Sequence, residues 1–179
     1  MKNKTIATVT TFYHFSKTGN RESILEKGLA AKSPIIRNSR IVDGIPMEAS
    51  NGHVFAFHEE LNRNWLNGGL LRRDGIKKLF QSLGSKLDLY KIQLIGHDDI
   101  VVLDASKFLF TEIMGLRGAT SKNILAYWNS KVLLSDYLGD YEFPECAIPF
   151  DVEKSNLNLI ETDISTLEFL QKIGAFSLG

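Results

Sequence analysis

The chain has 179 residues, with 21 Lys and Arg against 21 Asp and Glu, so it carries no net formal charge. At 44% hydrophobic and 23% charged it can bury an ordinary core, it is no disordered polyampholyte, and its length suits one domain over residues 1–179. Charge balance excludes a wholly basic nucleic-acid coat, and a single cysteine, Cys146, excludes an internal disulfide framework and a multi-cysteine zinc site.

Residues 5–16 are rich in Thr, Val, Phe and Tyr, a composition that favours a strand ending near Phe15. Asn20 reads as a helix N-cap and Gly28 as the stop of a short helix over 20–27. Ile24 and Leu25 would pin that helix to a core, with Leu29 following the turn. Residues 30–52 are polar and broken by Pro34, Gly44, Pro46 and Gly52, which predicts a long loop of the kind that is often functional. A short strand is predicted over 53–57 and a helix over 59–66, stopped by Gly68 and Gly69. Ile76, Leu79, Phe80 and Leu83 stand at helical spacing and predict a helix over 74–83. Residues 87–95 alternate as a strand, and 100–103 form a short buried one. Ile124, Leu125, Trp128, Val132 and Leu133 make one face of a helix over 121–138. A strand over 145–150 is bracketed by Pro144 and Pro149. A last strand over 156–161 and a helix over 165–173, with Leu167, Phe169 and Leu170, close the chain. The pattern is mixed α+β, without regular βαβ alternation.

No stretch reaches the roughly 18 apolar residues of a membrane-spanning helix. The N-terminus begins basic but lacks a long apolar middle, so no signal peptide is expected. A cytoplasmic protein with no membrane partner is the expectation, with delivery into a target or host cell as the variant. There is no Gly-x-x-x-x-Gly-Lys phosphate loop, no Gly-x-Gly-x-x-Gly fingerprint and no His-Glu-x-x-His. His97, Asp98 and Asp99 read as a solvated turn and not as a metal site, because adjacent turn residues point apart. No metal is therefore expected. Cys146 lies in an apolar run and reads as core packing.

Three separated segments carry more information together. The first is Phe12-Tyr13-His14-Phe15-Ser16, followed by Ser23-Ile24-Leu25-Glu26-Lys27-Gly28-Leu29. The second is Val54-Phe55-Ala56-Phe57. The third runs Tyr141-Glu142-Phe143-Pro144-Glu145-Cys146-Ala147-Ile148-Pro149. In this order they resemble the ADP-ribosyltransferase superfamily, which sets a histidine on its first core strand, an aromatic on its second and a glutamate on a late one. The opening also resembles the DarT-type and RNA 2′-phosphotransferase-type branches. The resemblance spans residues 12–160.

It implies an ADP-ribosyltransferase-like split β-sandwich with flanking helices, using NAD as substrate. Carried over by position, Glu145 matches the catalytic glutamate and His14 the histidine on the adenosine-side ribose. Ser16 matches a nearby hydroxyl residue, and Phe15 falls in the same cofactor-binding run. Phe55 stands where the His-Tyr-Glu subgroup has the tyrosine that stacks on nicotinamide; it keeps the ring and loses the hydroxyl. Glu142 precedes Glu145 by three residues, not the two of arginine-modifying toxins, which argues against arginine as acceptor. The Ser-Thr-Ser second-strand motif of those toxins is missing. The partners implied are NAD and a macromolecular acceptor, protein or nucleic acid. The setting implied is a toxin or a phage or bacterial conflict factor, with an antitoxin or host target. The alternatives are an RNA 2′-phosphotransferase-like enzyme and an inactive binding module on the same fold.

The residue types suit that chemistry on physical grounds. Breaking the nicotinamide–ribose bond passes through an oxocarbenium-like state, as in glycoside cleavage. A carboxylate on the ribose hydroxyls strengthens its interaction as positive charge develops, and it can also orient or deprotonate the acceptor. An aromatic face fixes a flat ring. A neutral histidine offers one donor and one acceptor, which suits ribose hydroxyls. The pyrophosphate wants an arginine fork, for which Arg37 and Arg40 in the long loop and Arg21 at the first helix are candidates. Arg72, Arg73, Lys77 and Lys78 read first as the solvated face of a helix, and second as a nucleic-acid footprint. Trp65 and Trp128 read as core anchors.

Overall fold

The computed structural model describes residues 8–31, 52–61, 86–109, 121–141 and 143–165. Among these residues seven strands form one sheet: β1 (Val9–Lys17), β2 (Val54–His58), β3 (Lys86–Ile95), β4 (Val101–Asp104), β5 (Val132–Leu133), β6 (Pro144–Ile148) and β7 (Leu157–Ser165). Their order is β5-β4-β6-β2-β1-β3-β7, and every pairing is antiparallel. Among the described residues the helices are short: α1 (Arg21–Lys27), α2 (Ser106–Leu109) and α3 (Ser121–Asn129). The expected α+β class is what the chain forms.

Alternate strand positions build the core. Phe12, Val54, Ala56, Tyr90, Ile92, Leu94, Val102, Cys146 and Ile148 share one face of the sheet, and Ile24 of α1 packs with them. Such period-two burial is what a pleated strand imposes. Leu29 and Val152 tie the chain after α1 to the chain after β6 through paired hydrogen bonds of 2.9 and 2.8 Å. Gly28 makes this approach possible. It ends α1 at φ +84°, with its N–H on the Ile24 carbonyl at 2.8 Å, and a Cβ there would stand 2.2 Å from the Val152 carbonyl.

One feature of the register sets the site. β1 pairs with β3 from Val9 to Lys17, but with β2 only at Phe12↔His58 and Tyr13↔Phe57. Past Tyr13 the two central strands share no further registered pair.

Several expectations shift. β1 runs on through Lys17, and Asn20 directs its side chain to Ser16 Oγ at 3.2 Å instead of capping α1. Leu25 is 50% exposed, so Ile24 is the apolar residue that α1 buries. The helix predicted over 121–138 stops at Asn129. Ser130 Oγ donates to the Tyr127 carbonyl at 2.6 Å, and Val132 and Leu133 then pair with β4 as an edge strand. Residues 59–61 form a turn, and the rest of the helix predicted over 59–66 lies outside the described residues. The last strand extends to Ser165, where the closing helix was expected to begin. The helices over 74–83 and beyond 165, nearly all of the 30–52 loop with Arg37 and Arg40, Trp65, the basic 72–78 cluster and Glu142 also lie outside the described residues. No described helix is long and apolar enough to cross a membrane.

Candidate functional site

His14, Phe55 and Glu145 sit on three consecutive strands, β1, β2 and β6, spaced about 5 Å apart. In the β2–β6 register Phe55 faces Ala147 and Ala56 faces Cys146, so Glu145 falls opposite Phe57. Phe55 and Glu145 are therefore diagonal neighbours on one face of the sheet. Pleat alternation sends His14 to the other face, with Phe12 and Ser16. The three side chains do not share one face: Phe55 and Glu145 lie on one, His14 on the other, and His14 reaches only the Phe55 main chain.

His14 fills that gap. Its Nδ1–H donates to the main-chain carbonyl of Phe55 at 2.7 Å, a group that a continued ladder would have bonded. Burial holds the imidazole below its ordinary titration range, against the opposing pull of the Phe55 carbonyl. The ring is therefore neutral at pH 7, and with Nδ1 donating, Nε2 is left as an acceptor.

Glu145 is half-buried on β6, and burial raises its carboxyl from the ordinary 4.5 to about 7, against a smaller lowering by the Tyr127 hydroxyl. Tyr127, buried on α3, donates its hydroxyl to Glu145 Oε2 at 2.6 Å. Burial and the adjoining carboxylate push that phenol well above its ordinary range. Glu145 Oε1 takes no hydrogen bond from a described residue. Beside this pair runs an aromatic wall. Trp128 lies 5.5 Å from the Tyr127 ring, 6.4 Å from Phe55 and 5.4 Å from His53, and its buried Nε1–H finds no acceptor among the described residues.

Other candidates are committed elsewhere. Phe15 is buried against Phe57, with ring centres 6.3 Å apart. Ser16 Oγ accepts from Asn20. Arg21 is a correction: it is not a free phosphate ligand. Its Nε and Nη2 grip Asp88 at 2.8 and 2.7 Å, and Nη2 also reaches Asp163 at 2.8 Å. The Asp88 side chain is fully buried, and the guanidinium holds its carboxyl below the ordinary carboxylate range. Cys146 is buried, and desolvation pushes its thiol up to about 12, which makes it inert. His97 stacks on Phe150 at 4.4 Å, and no cluster of metal-binding side chains forms among the described residues.

Sequence reasoning missed Tyr127 and His53 and took Trp128 for a core anchor alone. The available signal was a tyrosine inside an apolar helical face, since a buried phenol needs a partner for its hydroxyl.

Chemically, the site offers a carboxyl that exchanges its proton near neutrality, with one oxygen held by Tyr127 and the other without a hydrogen bond from the described residues, beside flat apolar surface. That combination supports proton transfer or stabilisation of a developing cation at pH 7. Comparison with protein-family models, curated proteins and solved structures returned no match for this chain.

Proposed function

We propose that the chain is an NAD-dependent ADP-ribosyltransferase. It cleaves the nicotinamide–ribose bond and transfers ADP-ribose to a macromolecular acceptor. On this reading, the parting of β1 from β2 is the split of an ADP-ribosyltransferase-like sandwich. The observation that carries the proposal is Glu145: an acid kept half-buried at about 7, with Oε1 unbonded among the described residues, two strands from an imidazole that bonds the Phe55 carbonyl.

The groups left over suit the dinucleotide. Glu145 Oε1 accepts from a ribose hydroxyl and opposes the positive charge that grows as nicotinamide departs. Phe55, partly exposed beside Trp128, offers a face for the pyridine ring. His14 Nε2 accepts a hydroxyl from the gap. Because Glu145 must be ionised to stabilise a cation, turnover rises with pH through about 7.

The test is release of free nicotinamide from NAD, with and without cell extract, for wild type and Glu145→Gln. Release by wild type that falls at least about 100-fold in the variant is expected, the scale of losing one electrostatic stabiliser. Absence of release with every extract, or release indifferent to Glu145→Gln, overturns the reading. NAD consumption that requires a 2′-phosphorylated RNA moves the function to the phosphotransferase branch.

A further inference from the structure

Tyr127 is tied at both ends. Its hydroxyl meets Glu145 Oε2 at 2.6 Å. Its carbonyl accepts Ser130 Oγ at 2.6 Å, and Ser130 Oγ in turn accepts the Asp104 N–H at 2.8 Å. Asp104 follows Leu103, the residue paired with Glu145 between β4 and β6. The bonds thus close a circuit: β6 to the phenol, through the end of α3, to β4, and back across the ladder to β6. The Tyr141 hydroxyl, donating to the Ser130 carbonyl, braces the same turn from outside.

The circuit constrains a side chain that would otherwise move. A glutamate has three rotatable bonds and a substantial rotamer entropy. Flanking it across the sheet are Phe57 on β2 and Leu103 on β4, both apolar, while Cys146 beside it points to the opposite face. Among the described residues, Tyr127 is the polar group that its carboxylate meets.

We propose that Tyr127 is a positioning residue for Glu145, holding Oε2 so that Oε1 is presented to the reacting ribose. This rests on the reading of Glu145 as the catalytic carboxylate. The bond also favours the carboxylate over the acid, opposing burial and keeping part of the population ionised at neutral pH. A short bond from a neutral donor to a carboxylate is among the stronger hydrogen bonds a protein makes.

Two variants and two independent readouts test it. In the unliganded protein, the Glu145 carboxyl is followed by carbon NMR against pH, with Glu145→Gln identifying its signal. Tyr127→Phe is expected to move the midpoint upward. In nicotinamide release, Tyr127→Phe is expected to lower kcat by about 10- to 100-fold, the scale of outer-shell positioning effects. KM for NAD should change little, and the acidic limb of the rate profile should move upward with the NMR midpoint. Ser130→Ala keeps the phenol but opens the circuit. It should lower kcat by a smaller factor and leave the limb in place, and it carries the test should Tyr127→Phe fail to fold. Unchanged kcat in both variants, or a Glu145 midpoint unmoved by Tyr127→Phe, overturns the proposal. Should wild type release no nicotinamide, the enzymatic reading fails and this positioning role fails with it. An upward NMR midpoint would then still record the contact, which separates that outcome from a wrongly assigned Tyr127.

Discussion

Replacing Glu145 by Gln should stabilise the protein at alkaline pH while lowering the proposed nicotinamide release. The carboxyl titrates at about 7 in the folded chain and at the ordinary 4.5 once unfolded. The folded state therefore holds a proton that the unfolded state has lost across that window, and wild-type stability from this group falls as pH rises from 4.5 to about 7. The gap, at about 1.4 kcal/mol per pH unit, amounts to about 3 kcal/mol. Glutamine does not titrate, and its carbonyl accepts the Tyr127 hydroxyl in the same place. The advantage of the variant over wild type should thus grow by about 3 kcal/mol between pH 4 and pH 8. Taking the difference between the two proteins removes His14 and His58, which titrate in both. Urea unfolding at several pH values reads the quantity directly. In thermal melts it corresponds to roughly 6–12 °C for a chain of this size. A difference that stays constant with pH would refute the assignment of a raised carboxyl to position 145, and with it the electrostatic basis of the site.

Two further substitutions probe the frame around the site. Gly28→Ala places a side chain at φ +84°, ψ −167°, a region open essentially to glycine, and drives a Cβ to 2.2 Å from the Val152 carbonyl; a loss of at least about 2 kcal/mol in urea unfolding is expected, and a loss under about 0.5 would show that the turn relaxes freely. Arg21→Gln leaves the Asp88 carboxylate without its cation and should lower stability at pH 7 in urea unfolding. The wild-type Asp88 carboxyl is held low, so its contribution is complete above its ordinary 3.8 and fades as pH falls. The deficit of Arg21→Gln should accordingly narrow towards pH 3, and a deficit equal at pH 7 and pH 3 would argue against the ion pair as its cause.

The parts of the fold that were legible are those where one short segment determines its own structure. Tyr90, Ile92 and Leu94 alternate, and alternation is the pleat itself. Gly28 ends α1 because the left-handed backbone it adopts excludes other residues. Where two periods fit the same letters, the reading went astray. Val132 and Leu133 continue the spacing of Trp128, but the helix closes before them, with the Ser130 side chain and N–H both on the Tyr127 carbonyl and the next residues paired to β4. Ile24 and Leu25 are a third of a turn apart, and a helix of one buried stripe takes only one of them. The remaining contacts are not local at all. Arg21 finds Asp88 across 67 residues and Asp163 across 142, and nothing in the neighbourhood of Arg21 distinguishes a structural fork from a phosphate ligand. Glu145 was visible as an acid in an apolar strand, but the phenol that meets it comes from a helix 18 residues earlier.

The two polar groups at the centre of the site do not weigh equally. Once β1 and β2 part, the Phe55 carbonyl needs a donor, and an unpaired buried carbonyl costs about 1–3 kcal/mol. His14 supplies that donor without importing a charge, so the packing of the sheet is itself sufficient reason for a neutral imidazole there. Among the described residues, packing supplies no such reason for Glu145. A glutamine at that position would accept the same Tyr127 hydroxyl and avoid the penalty that raises the carboxyl to about 7. An acid at a position where a neutral isostere would avoid that penalty is the pattern expected where stability yields to chemistry. The functional reading therefore stands on the carboxylate, and the place of the histidine is accounted for by the Phe55 carbonyl it satisfies.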